Sequence, residues 1–173
     1  MIRVFSTLPS PRAGLAVLCA ALTLAACTDL AGPLPRAGVP DELEFSMGGY
    51  FAPSASVTLR GDTVVLRRVP WEVTSPADID TIVSVPSAEA WAEFWTVVDE
   101  IGVSFWRRRY HAENIADGLG WSLRVVADGR TVESYGSNAY PDSRGAEHEG
   151  EETPEFRAFR TAIEELAGAP LYE

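Results

Sequence analysis

Three short stretches of the 173-residue chain gather the side-chain types that binding and catalysis use. Gly136-Ser137-Asn138-Ala139-Tyr140-Pro141 carries a hydroxyl, an amide and a phenol in six residues. On a loop, such groups face a ligand from a rigid scaffold. The same residues also spell a turn, because Gly136 and Asn138 accept positive φ and Pro141 stops a strand. Arg107-Arg108-Arg109-Tyr110-His111 offers guanidinium forks to a carboxylate or phosphate. Neighbours on an extended segment point to opposite faces, so the three arginines cannot converge. Arg107 and Arg109 are the anion-binding candidates, set against a solvated strand that balances an acidic protein. Glu147-His148-Glu149-Gly150-Glu151-Glu152 collects carboxylates and an imidazole. It has neither the HExxH helix spacing of zinc sites nor the alternating ligands of an EF-hand, and its composition predicts a disordered acidic loop. No metal or cofactor is expected.

No complete catalytic signature accompanies these stretches. There is no GxSxG elbow, no GxGxxG and no Walker lysine, the chain having no lysine, and His111 and His148 are the two histidines. The leading expectation is therefore a non-enzymatic binding domain that holds a partner protein or small ligand through Ser137, Asn138, Tyr140, Arg107 and Arg109. The alternative is a hydrolase built on Ser137 with His111 or on the acidic loop, since triads are defined by geometry rather than spacing.

The N-terminus addresses the chain. Residues 1–26 hold Arg3 and Arg12, no acid, and an apolar run over residues 13–26. A basic segment followed by a run shorter than the roughly 20 residues of a spanning helix reads as a cleaved signal. Its end, Leu24-Ala25-Ala26-Cys27, resembles the lipobox of bacterial lipoproteins. The resemblance implies diacylglycerol on Cys27 and cleavage before it. It also implies an acylated mature N-terminus and, with Thr28 rather than aspartate next, the outer membrane where a cell has two. Each buried CH₂ contributes about 0.8 kcal/mol, so two or more chains hold stably where one is marginal. Cys19 and Cys27 are the two cysteines. One falls in the signal and the other takes the lipid, which leaves no thiol for a disulfide, a CxxC site or a nucleophile.

Losing residues 1–26 removes two arginines and no acid, so the net charge of −11 becomes −13. That balance argues against nucleic acid, which needs a basic footprint, and against anionic headgroups apart from the lipid itself. Residues 27–40, rich in Pro, Gly and Ala, read as a flexible tether. Residues 41–173 are enough for one hydrophobic core and not two.

Within that domain, residues 42–47, 56–59, 63–69 and 81–85 have strand character, with Gly61-Asp62 as a two-residue hairpin turn. Trp91, Phe94, Trp95, Val98 and Ile101 form one helical stripe between Ser87 as N-cap and Gly102 as C-cap. Trp121 to Tyr135 reads as a hairpin about Asp128-Gly129, in which Val125 faces Val132, Leu123 faces Ser134 and Arg124 faces Glu133. Arg124 and Glu133 then form an exposed pair worth about 0 to 1 kcal/mol. Thr153-Pro154-Glu155 opens a last helix that buries Phe156, Phe159, Ile163 and Leu166 and stops at Gly168 and Pro170. Trp71 and Trp106 find no partner in the pattern.

Two helices and six or seven short strands in this order predict an α+β domain, an antiparallel sheet with both helices on one face in two layers. The stretch from Trp121 through the Gly136–Pro141 loop to the last helix also resembles uncharacterised domains of bacterial lipoproteins, and that likeness implies no catalytic residue. The first expected outcome concerns Cys27. Expression in a bacterial host should give a protein that partitions with membranes and gains acyl mass, and Cys27→Ala should abolish both, as read by intact mass and fractionation. An unmodified soluble wild type overturns the anchor.

Overall fold

The computed structural model describes Leu34, residues 38–113, Ile115 and residues 117–172, so the lipobox and the signal lie outside the described residues. The first three strands follow the alternation of the sequence. β1 (Glu42–Gly49) buries Leu43, Phe45 and Met47 and turns the residues between them outward. β2 (Ser54–Arg60) and β3 (Thr63–Val69) are joined by Gly61-Asp62, with Arg60 opposite Thr63 and Gly61 at φ 68°. β4 (Asp80–Ser84) follows a 3-10 turn at Pro76–Asp78.

α1 (Ala88–Glu100) begins where the Ser87 hydroxyl accepts the Ala90 N–H, and it buries Trp91, Phe94, Trp95 and Val98. Its C-cap is Ile101, and Gly102 is the left-handed residue just beyond it at φ 69°. A Cβ at Gly102 would fall 2.4 Å from the Ser143 carbonyl oxygen, so both conformation and space demand glycine there.

β5 (Arg109–His111), β6 (Leu119–Ala127) and β7 (Arg130–Ser137) complete the main sheet, followed by β8 (Ala139–Pro141), β9 (Glu147–Glu149) and α2 (Pro154–Ala167). The β6–β7 turn has Asp128 at φ 51° and Gly129 at φ 71°, as a type I′ turn requires, and the expected register follows. α2 starts on the Thr153 hydroxyl, which accepts the Phe156 N–H at 3.1 Å, and ends at Gly168 with φ 73°.

The fold is a mixed α+β domain. Among the described residues, seven strands run in the order β4-β3-β2-β1-β6-β7-β5, two helices accompany them, and β8 pairs with β9 apart from the main sheet. The sheet is not wholly antiparallel, because β5 joins β7 in parallel. Both edges of β6 are already taken by β1 and β7, so the segment entering β6 finds its open edge on β7. Arg124 does face Glu133, but its ion pair goes diagonally to Glu42 at 2.8 Å, and Glu133 takes Arg108 at 3.1 Å. The segment expected as a tether is partly bound. Leu34 is buried beside Trp95 and Val98, and the Trp95 indole donates to the Gly38 carbonyl at 2.6 Å.

Aromatic rings join the elements. Phe156 and Phe159 of α2 lie 6.3 and 5.5 Å from Phe45 of β1, Phe159 lies 6.2 Å from Phe94 of α1, and Phe156 lies 4.8 Å from Trp121 of β6. Trp106, without a partner in the sequence pattern, stacks on Phe156 at 6.0 Å and meets Phe159 edge-on at 5.3 Å. Fully burying such rings and pairing them favourably makes α2 the element most costly to truncate. Phe159→Ala should lower unfolding free energy by about 3–5 kcal/mol in urea melts, against about 1 kcal/mol for Thr153→Ala at the helix cap. Equal losses would overturn this ranking.

Candidate functional site

The structure separates the residues the sequence grouped. The stretch 136–141 is not a loop: β7 runs to Ser137, Asn138 makes a left-handed step at φ 49°, and β8 resumes at Ala139. Asn138 is buried, its Oδ1 accepts the Leu119 N–H at 2.9 Å, and a Cβ at Gly118 would fall 1.8 Å from that oxygen. Tyr140 is 2% exposed and packs 4.8 Å from Phe156, and burial raises its phenol above the usual value. Both residues are occupied in holding the corner.

Ser137, Arg109 and His111 turn instead to the other face of the sheet. Ser137 stands opposite His111 in the β5–β7 register, and Arg109 opposite Tyr135. Among the described residues no hydrogen bond joins the Ser137 hydroxyl to the His111 ring, and the nearby carboxylate, Glu147 Oε2, accepts the His111 backbone N–H at 2.9 Å. Arg107 is directed elsewhere: its Nε donates to the Gly145 carbonyl at 2.9 Å, and its guanidinium lies 5.1 Å from the Tyr110 ring centroid. Arg108 pairs with Glu133, so the three arginines serve three places, and of the three Arg109 alone lies within a strand.

The acidic stretch is not disordered, since Glu147–Glu149 forms β9. Asp142 anchors that ribbon. Its Oδ1 accepts the Arg144 and Ala146 N–H groups, each at 2.8 Å, and its Oδ2 lies 3.2 Å from His148 Nε2. Among the described residues, no group of three or more histidine, cysteine, aspartate or glutamate side chains is placed to hold a metal ion.

A different site stands at the end of the sheet where β1 turns into β2. An open cavity of about 250 Å³ lies between the end of β3 and the C-terminal residues. Val69, Pro70 and Leu171 give it apolar walls, and Arg68, Asp80 and Tyr172 supply polar atoms. Arg68 is ion-paired with Asp80. The Tyr172 hydroxyl donates to the Met47 carbonyl at 2.8 Å, and burial pushes its pKa up to about 12, so it remains a donor across the physiological range. Asp78, on the same rim, is held below the usual carboxylate value by the Thr74 and Ser75 backbone N–H groups. One cation against two carboxylates suits an uncharged or cationic ligand.

The turns that carry this cavity also carry three exposed rings. Tyr50, Phe51 and Trp71 are 81%, 62% and 45% exposed, with Phe51 4.7 Å from Tyr50 and 4.9 Å from Trp71. Aromatic surface left in water beside a cavity is the usual mark of a contact region. The signal present in the sequence was compositional. Turns favour Gly, Asn, Asp and Pro, and Gly-Gly-Tyr-Phe-Ala-Pro places two large rings in one.

Compared with family models, with curated proteins and with solved structures, the chain shows no significant match to any of them.

The Asp142 turn yields a pH test. The Ala146 and Arg144 N–H groups hold the Asp142 carboxyl below its ordinary value. A depressed carboxylate contributes stability that is present above its unfolded pKa and is lost as pH falls through the folded one. Protection factors at Ala146 and Arg144, taken against the intrinsic exchange rate at each pH, should fall in that acid window and be low at neutral pH in Asp142→Ala. Protection insensitive to both changes overturns this account.

Proposed function

We propose that the chain is a lipid-tethered envelope protein whose folded part is a non-enzymatic binding module. Its binding site is the cavity beside Arg68, Asp80 and Tyr172, together with Tyr50, Phe51 and Trp71 on the adjoining turns. The observation that carries the proposal is three exposed rings, Phe51 touching both Tyr50 and Trp71, on the turns that also supply the cavity-lining residues Pro53, Ser54 and Pro70. The ligand it suits is uncharged or cationic and presents a flat apolar face to the rings. Both helices are read as covering the apolar face of the sheet in two layers, which leaves the cavity end and the polar face open to the envelope. Tethering through Cys27 would keep the site near one membrane surface and raise the local concentration of any envelope ligand it meets.

Trp91, Trp95, Trp106 and Trp121 are buried, so Trp71 is the ring through which fluorescence reports on this site. Size-fractionated envelope extract should shift the emission of the wild type and leave Trp71→Phe unchanged. Retention of the same fraction should fall at least about tenfold when Tyr50, Phe51 and Trp71 are all replaced by serine, a loss of about 1.4 kcal/mol. Undiminished retention by the serine variant overturns the assignment of the site.

A further inference from the structure

We propose that a second copy of this chain adds to the free edge of β4, continuing the sheet across a two-fold axis. The inference is independent of the cavity reading. β4 ends the main sheet, and residues 81–85, Thr-Ile-Val-Ser-Val, contain no charge, glycine or proline. Natural edge strands are usually blunted by charged side chains, proline or bulges; here the charge and the proline stand at the ends, at Asp80 and at Pro86 just beyond β4, and the residues between them carry neither. The opposite edge is different: β5 is three residues long and turns Arg109 and His111 outward. Val83 and Val85 are 62% and 67% exposed, the most exposed of the large aliphatic side chains among the described residues.

The composition of the strand selects the occupant. A two-fold axis through Val83 in antiparallel pairing sets Val83 against Val83, Thr81 against Val85, and Ile82 against Ser84. Every cross-strand pair is then apolar or hydroxyl-bearing, with no like charges opposed. Asp80, engaged by Arg68, and Pro86, which lacks an N–H, bound the paired stretch on its two sides. A strand from a basic partner would answer the net charge of the domain, but residues 81–85 hold no acid to receive it. An isologous contact also closes on itself, so assembly stops at two.

Five paired residues cover less than the roughly 1,200–2,000 Å² of a stable interface, and two strongly acidic domains repel. The dimer is therefore weak in dilute buffer. It strengthens with salt, and it strengthens when tethering confines copies to one surface.

The experiment uses the full chain with Val83→Cys, oxidised in membranes. It is compared with Thr58→Cys, which lies on the same face two strands further in, and with the wild type carrying its native cysteines only. A disulfide-linked dimer confined to Val83→Cys is expected. In sedimentation, the dimer fraction of wild type should rise between about 0.05 and 0.5 M salt. Val83→Lys, at an exposed position, should cut the association constant at least tenfold while its thermal midpoint stays near that of wild type. The proposal is overturned by any of three results: cross-linking no greater than in Thr58→Cys, a dimer indifferent to Val83→Lys, or a chain monomeric at every salt and concentration.

Discussion

The packing of Phe156 and Phe159 is the contact on which the other elements depend. These two rings of α2 meet Phe45 of β1, Phe94 of α1, Trp106 of the segment after α1 and Trp121 of β6. Two side chains one helical turn apart thus tie together four segments that are distant in sequence. Large rings deliver much of the burial energy of a small domain and do so with preferred geometries, so their positions also limit how the helices can cross the sheet.

Close backbone approaches at one corner follow from that arrangement. Gly136 has the Trp121 indole 2.2 Å from where a Cβ would be, and the same indole donates to the Ala139 carbonyl at 2.9 Å. Gly145 approaches the Phe105 carbonyl, and Gly102 approaches Ser143. Ser134, buried, gives its hydroxyl to the Arg107 carbonyl at 2.7 Å. Residues 136–141 read as a ligand loop because they hold polar atoms, but Asn138 uses its Oδ1 to satisfy the Leu119 N–H, and Tyr140 is buried against Phe156. Polar composition on its own does not distinguish a binding loop from a hydrogen-bonded corner.

The exposed features divide by chemistry. Rings at the β1–β2 turn offer contact surface beside oriented polar groups, whereas the β4 edge offers unpaired backbone and β-branched side chains. The first suits a compact ligand and the second an extended strand. The acidity of the domain acts on both, favouring neutral or cationic ligands and weakening the approach of like copies.

The sequence by itself determined the local structure. The stripes that became α1 and α2, the caps at Ser87 and Thr153, the Gly61-Asp62 and Asp128-Gly129 turns and the register of the β6–β7 hairpin were all legible, because each depends on residues within a few positions of one another. Tertiary structure alone decided the parallel placement of β5, the diagonal choice of Glu42 by Arg124, the inward burial of Asn138 and Tyr140, and the partners of Trp71 and Trp106. These outcomes depend on which segments meet across long stretches of chain, and periodicity holds no information about that. The candidate cavity belongs to the same class: its walls come from residues 53–54, 68–70, 78, 80 and 171–172, which share no pattern and become a site only when the sheet and the C-terminal residues close together.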